Sequence, residues 1–160
     1  MKDTITIEIS LGKLTGKKDA GTTTFLGIRY ADPPIGERRF MPPRPAGPWR
    51  GTYDATTHPN RCLQPPFILG TPLGGTSEDC LFLNIVTPAA DAGRRPVLFW
   101  IHGGGYSQGS ANEYDGSVLA AQGDVVVVTI NYRLGLLGYA GLAGLGSDFE
   151  GAANNGIADQ

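Results

Sequence analysis

The chain has 160 residues carrying 13 basic and 15 acidic side chains, and a formal net charge of −2 supplies no broad positive field, which excludes nucleic acid as an expected partner. Glycine fills 24 positions and proline 12, far above their usual combined share of about 12%, but 41% hydrophobic residues with 18% charged can still build a core, so a low-complexity chain is excluded. The length suits one domain or a piece of a larger one, and no apolar run approaches the roughly 18–20 residues of a membrane span.

Residues 1–4 lead directly into alternation without an apolar signal region, so the sequence as written reads as soluble and cytoplasmic. Thr4 to Ile9 has a period of two, and a second short strand runs over 24–30 to Tyr30. Ten of the twelve prolines then fall between Pro33 and Pro72, with Trp49 and Tyr53 as anchors, which predicts a packed irregular surface layer rather than long helices. Three apolar runs follow, at 81–86, 97–101 and 125–130, each bounded by turn residues and each predicted as a buried strand. Ser117 to Gln122 reads as a short helix stopped by Gly123, a connection long enough to set the last two runs parallel as a βαβ unit of a three-layer α/β fold. Residues 125–130 are expected to form an exposed hydrophobic sheet edge. Residues 157–160, after Asn154-Asn155-Gly156, look like the opening turn of a helix.

Cys62 and Cys80 are the two cysteines, with 17 residues between them. A bridge closing such a loop would contribute about 3 kcal/mol in an oxidising compartment, and two buried thiols fit the spacing equally well. Neither histidine sits at ligand spacing from the pair, so no metal is predicted, and nothing in the sequence calls for a cofactor.

His102-Gly103-Gly104-Gly105-Tyr106 directly follows the strand expected to end at Ile101. Consecutive glycines leave backbone N–H groups unshielded, so a loop at the carboxyl end of a parallel strand can direct two of them at one developing oxyanion. Three glycines alone fit a tight turn tolerating positive φ. The preceding histidine and strand favour the HGGG oxyanion loop of lipases and esterases. Ser107 lies in Gly105-Tyr106-Ser107-Gln108-Gly109, which fits the nucleophile-elbow pattern. An elbow, however, needs an immediate helix, whereas Gly109, Ser110, Asn112 and Gly116 start none, and no histidine follows position 102 to complete a triad.

These residues resemble the type-B carboxylesterases, the group that includes the cholinesterases, with the non-catalytic neuroligins as relatives. The resemblance spans nearly the whole chain and rests on the run from Phe25 to Pro34, Arg39-Phe40, Trp49, Ser77 to Ile85, the glycine loop, Asn131-Tyr132-Arg133 and Asp159-Gln160. It implies that residues 1–160 are a truncated N-terminal portion of one carboxylesterase domain of α/β-hydrolase fold, comprising small β elements, the proline-rich layer and the first strands of a mostly parallel central sheet. It implies that the Gly104 and Gly105 amides form part of the oxyanion hole, that Cys62 and Cys80 pair as a disulfide, and that Arg39 and Glu78 form an ion pair, buried enough for its loss to be costly. The disulfide would suit an oxidising compartment. Small-molecule carboxylic esters are the implied substrates of the complete enzyme; choline esters are not favoured, because the loop from Leu63 to Ser77 lacks tryptophan. Nucleophile, acid and histidine base are expected outside these residues, so the chain alone is expected to be inactive. The alternatives are a neuroligin-like binding protein and a small cutinase-like hydrolase using Ser107.

Overall fold

A computed structural model describes residues 3–19, 21–65 and 74–160. Its strands are β1 (Thr4–Ile9), β2 (Gly12–Asp19), β3 (Thr22–Arg29), β4 (Thr52–Asp54), β5 (Arg61–Cys62), β6 (Thr76–Ser77), β7 (Phe82–Thr87), β8 (Val97–Ile101) and β9 (Val126–Ile130). Short helices α1 (Ser117–Gly123), α2 (Gly135–Tyr139) and α3 (Asn155–Ala158) accompany them. The main sheet runs β1-β2-β3-β7-β9-β8, with β4 beside β2, and β5 pairs separately with β6.

The expected parallel character holds only in part. Neighbours β1/β2, β2/β3, β3/β7 and β7/β9 are antiparallel, whereas β8/β9 and β2/β4 are parallel. Two residues join β1 to β2, a length that permits only a hairpin, while the crossover through α1 lets β8 and β9 run side by side in one direction. Strand β2 is not marked in the sequence, because Leu14 is its single large apolar residue and none of its three lysines is buried. Its inward face meets Phe25, Ile28 and Ala55 in one core cluster, against which Trp49 and Tyr53 of the proline-rich layer pack.

Strand β3 is broken by a bulge between Phe25 and Ile28, where Gly27 takes φ of +72°. The Gly27 N–H, displaced from the ladder, donates instead to the buried Asn84 Oδ1 at 2.9 Å. A second core cluster joins Cys62, Cys80, Leu81, Val128, Ile130, Tyr132 and Leu134. This cluster lies beneath the glycine loop.

The exposed edge is β8, not residues 125–130. The chain returns through α1 so that β9 enters between β7 and β8, which buries Val127, Val128, Thr129 and Ile130 and leaves all five residues of β8 between 36% and 61% exposed. Val97, Phe99 and Ile101 have the composition of a buried strand, but burial depends on what stands against the outer side of β8.

Candidate functional site

The glycine loop begins where β8 ends. His102, 3% exposed, stacks on the Tyr132 ring at 4.4 Å between centroids, and the Tyr132 hydroxyl donates to the His102 carbonyl at 2.8 Å. His102 Nδ1 lies 2.8 Å from the Gly103 carbonyl, which can only accept, so Nδ1 carries the proton. Burial holds the imidazole below its ordinary range, opposed by that hydrogen bond and by the charge of Glu113. His102 is thus a neutral strut of the loop.

Gly104 and Gly105 take φ of +124° and +61°, and the Ser107 and Gln108 N–H groups both donate to the Gly104 carbonyl at 3.2 Å. This turn consumes the carbonyl and leaves the amides free. No hydrogen bond among the described residues takes the N–H of Gly104 or Gly105, and both residues line a cavity of about 340 Å³ with His102, Tyr106, Tyr132 and Gln160. A Cβ on Gly104 would strike the Gln108 carbonyl oxygen, so the tight turn itself demands glycine there. Two adjacent N–H groups beside a cavity can stabilise an oxygen that gains negative charge during reaction.

Ser107 sits in this turn and its Oγ donates to the Gly104 carbonyl at 3.1 Å. No α-helix follows it directly, the next being α1 from Ser117, and neither described histidine is its partner: His102 bonds Gly103, and the Nδ1 of His58 has no hydrogen-bond partner among the described residues. The cutinase-like reading of Ser107 therefore lacks both its elbow and its base.

Buried polar residues brace the segment after the loop. Asn131 Oδ1 accepts from Ser110 Oγ at 3.1 Å and from the Ala111 N–H at 2.8 Å, while Asn112 Nδ2 donates to the Pro59 carbonyl at 2.8 Å. Nothing in the local sequence marks these residues as partners, because each bond joins segments far apart in the chain.

The other expected site residues fall beside this frame. Cys62 and Cys80 are free thiols buried in one core cluster, where a disulfide was expected. Each perturbs the other: the Cys62 thiol lies below its ordinary value through its neighbour Cys80, and Cys80 is pushed well above its own by Cys62 and by burial. Arg39 Nε does reach Glu78 Oε2, at 2.7 Å, but the Arg39 side chain is 43% exposed. The expected burial of that pair is wrong: the proline-rich loop holds Arg39 at its outer surface. The deep pair is Arg133–Asp159, with side chains 2% and 0% exposed. Two guanidinium nitrogens of Arg133 donate to Asp159 at 2.7 and 2.8 Å, and a third donates to the Met41 carbonyl at 2.7 Å.

Residues 3–160 match the carboxylesterase family. Cocaine esterase of Oryctolagus cuniculus is 48% identical over 153 residues, which cover 89% of this chain and 28% of that protein. Para-nitrobenzyl esterase of Bacillus subtilis is 42% identical over 154 residues, 93% of this chain and 31% of that protein. The crystal structure of the Geobacillus stearothermophilus carboxylesterase EST55 superposes with a TM-score of 0.89 at 44% identity, covering 96% of this chain and 32% of the other. The chain thus spans about a third of the length of the relatives it matches. A family match over nearly every residue, an α/β-hydrolase neighbour at high similarity and a glycine loop with two free amides agree: this chain belongs to the carboxylesterase family.

Proposed function

We propose that residues 1–160 form the N-terminal portion of one serine carboxylic-ester hydrolase domain and contribute its oxyanion loop. The observation that carries the reading is the pair of N–H groups on Gly104 and Gly105, unbonded among the described residues, beside the 340 Å³ cavity. In the complete enzyme a serine supplied by the remaining two thirds attacks the ester carbonyl, and the tetrahedral oxyanion accepts hydrogen bonds from these two amides. A third donor, the amide after the nucleophile, follows from the family resemblance. Removing one such donor typically lowers kcat by about 10²–10³. Small-molecule carboxylic esters are the substrates this geometry suits, and the similar cocaine esterase and para-nitrobenzyl esterase are named for esters as well.

The test is a chimaera in which residues 3–160 replace the matching third of the Geobacillus enzyme. It should hydrolyse short p-nitrophenyl esters, and replacing Gly105 by glycolic acid, which removes one amide proton while leaving the φ of +61° accessible, should lower kcat far more than it raises KM. A chimaera that is folded by circular dichroism and labelled at its serine by a fluorophosphonate, yet turns over no ester, would overturn the reading in favour of a neuroligin-like binder. The isolated 160-residue chain should show neither turnover nor labelling of Ser107.

A further inference from the structure

The glycine loop is held from below by a residue the sequence does not single out. Gln64, two positions after Cys62, uses every polar atom of its side-chain amide on three backbone groups. Its Oε1 accepts the Gly109 N–H at 2.9 Å, and its Nε2 donates to the Gly109 carbonyl at 2.9 Å and to the Cys62 carbonyl at 3.1 Å. The amide orientation follows from chemistry, because the N–H of Gly109 needs an acceptor and the two carbonyls need donors. Gly109 itself is pressed against the base of the loop. At φ of +110° it lies so near that an added Cβ would meet the Gly103 carbonyl oxygen and stand 2.5 Å from His102 Nδ1. Those are the two groups whose hydrogen bond sets the start of the glycine loop. The far side is tied as well: the Leu134 N–H donates to Cys62 Sγ at 3.2 Å, and the next residue's N–H, on Gly135, donates to the Tyr106 carbonyl at 2.7 Å.

We propose that Gln64 is a positioning residue for the oxyanion loop: its amide clamps the Gly109 peptide against His102 and Gly103 and so sets the direction of the Gly104 and Gly105 N–H groups. This rests on the reading of the loop as an oxyanion hole. A side chain that pairs with both the N–H and the C=O of one residue fixes the plane of that backbone, whereas a single bond would leave it free to rotate. Donors are effective only when they already point at the developing charge, so a small rotation costs rate rather than substrate affinity.

Two measurements separate the clamp from the function. In the 160-residue chain, amide hydrogen exchange by NMR should show the Gly109 N–H protected, with Gln64→Leu accelerating its exchange at least about tenfold and shifting the Gly103 to Gly105 amide resonances. Unchanged Gly103 to Gly105 resonances in a folded Gln64→Leu chain would overturn the clamp whatever the chain's activity. In the chimaera, Gln64→Ala and Gln64→Leu should lower kcat about 10- to 100-fold with KM nearly unchanged, and weaken a trifluoromethyl ketone inhibitor in proportion to kcat/KM. Gln64→Glu should be at least as damaging, since its carboxylate would face the Cys62 and Gly109 carbonyl oxygens. A loss of melting temperature without the parallel change in kcat and inhibitor affinity would reduce Gln64 to a structural residue and overturn the proposal. An inactive but folded wild-type chimaera would remove the enzymatic reading alone, and the exchange data would then still decide the clamp.

Discussion

Arg133–Asp159 and Arg39–Glu78 are made of the same two functional groups, and each reaches the proline-rich layer, the first through the Arg133 bond to the Met41 carbonyl and the second through Arg39 itself. In the first, an Asp159 carboxylate takes two guanidinium bonds and the Arg133 backbone N–H, while the remaining arm of Arg133 reaches the Met41 carbonyl. In the second, one bond joins Nε to Oε2 and water reaches nearly half of the arginine. Depth changes what each pair is worth. A buried charge left without its partner cannot rehydrate, whereas an exposed one simply turns to solvent. The deep pair is the one that nothing in the sequence marks, and the pair implied by the family resemblance is peripheral.

The largest expected effect tests that contrast at its deep end. Asp159→Asn should cost about 3–5 kcal/mol of stability by urea denaturation, and the double variant Arg133→Met with Asp159→Leu should recover a good part of the loss. A single-variant loss below about 1 kcal/mol would show that water reaches the pair and would dissolve the distinction. Next in size, mild oxidation should join Cys62 to Cys80 and stabilise the chain by about 3 kcal/mol, the expectation for a loop of this length. Thiol titration in denaturant should fall from two groups to none, and Cys80→Ser should abolish both changes. Free thiols persisting after oxidant would mean that the two sulfurs are held apart in solution.

A smaller effect concerns protons. The folded imidazoles of His102 and His58 lie below their ordinary value of 6.5, in both cases chiefly through burial, with Lys17 adding to the shift at His58. The unfolded chain therefore binds more protons in the window between the lowered folded value and 6.5. Stability rises with pH across that window and is lost as the pH falls through it. Denaturation midpoints between pH 5 and 7.5 should show this slope, and His102→Phe with His58→Gln should flatten it. A slope of opposite sign would mean that the Glu113 charge and the Gly103 hydrogen bond outweigh burial at His102. The smallest effect belongs to the exposed pair. Arg39→Ala should leave the melting temperature within experimental scatter, and a double-mutant cycle with Glu78→Ala should give no resolvable coupling at physiological salt.

Several elements were legible because their signals are local. The alternation over Thr4–Ile9, the apolar runs that became β7, β8 and β9, and the Ser117–Gly123 helix were all anticipated, with boundaries shifted by a residue or two. The βαβ unit followed from the length of the connection between β8 and β9. The His102-Gly103-Gly104-Gly105 loop was legible for a similar reason: only glycine leaves two successive amides uncovered at the end of a strand. Strand β2 was invisible because a hairpin partner, not its own composition, makes it a strand. Gln64 was invisible because its partner Gly109 lies 45 residues away and nothing near position 64 is unusual.

What the sequence determined by itself was the order of the first strand, the apolar strands and the helix between the last two, the handful of backbone positions that require glycine, and the chemistry the loop can offer. Those depend on residue type and on neighbours within a few positions. The tertiary structure alone decided that β9 is interior and β8 exposed, that Arg133 rather than Arg39 is buried, and that one glutamine amide holds the peptide beneath the loop. Burial and hydrogen-bond satisfaction are properties of what stands opposite a group in space, and at each of these places the opposing group comes from a distant part of the chain.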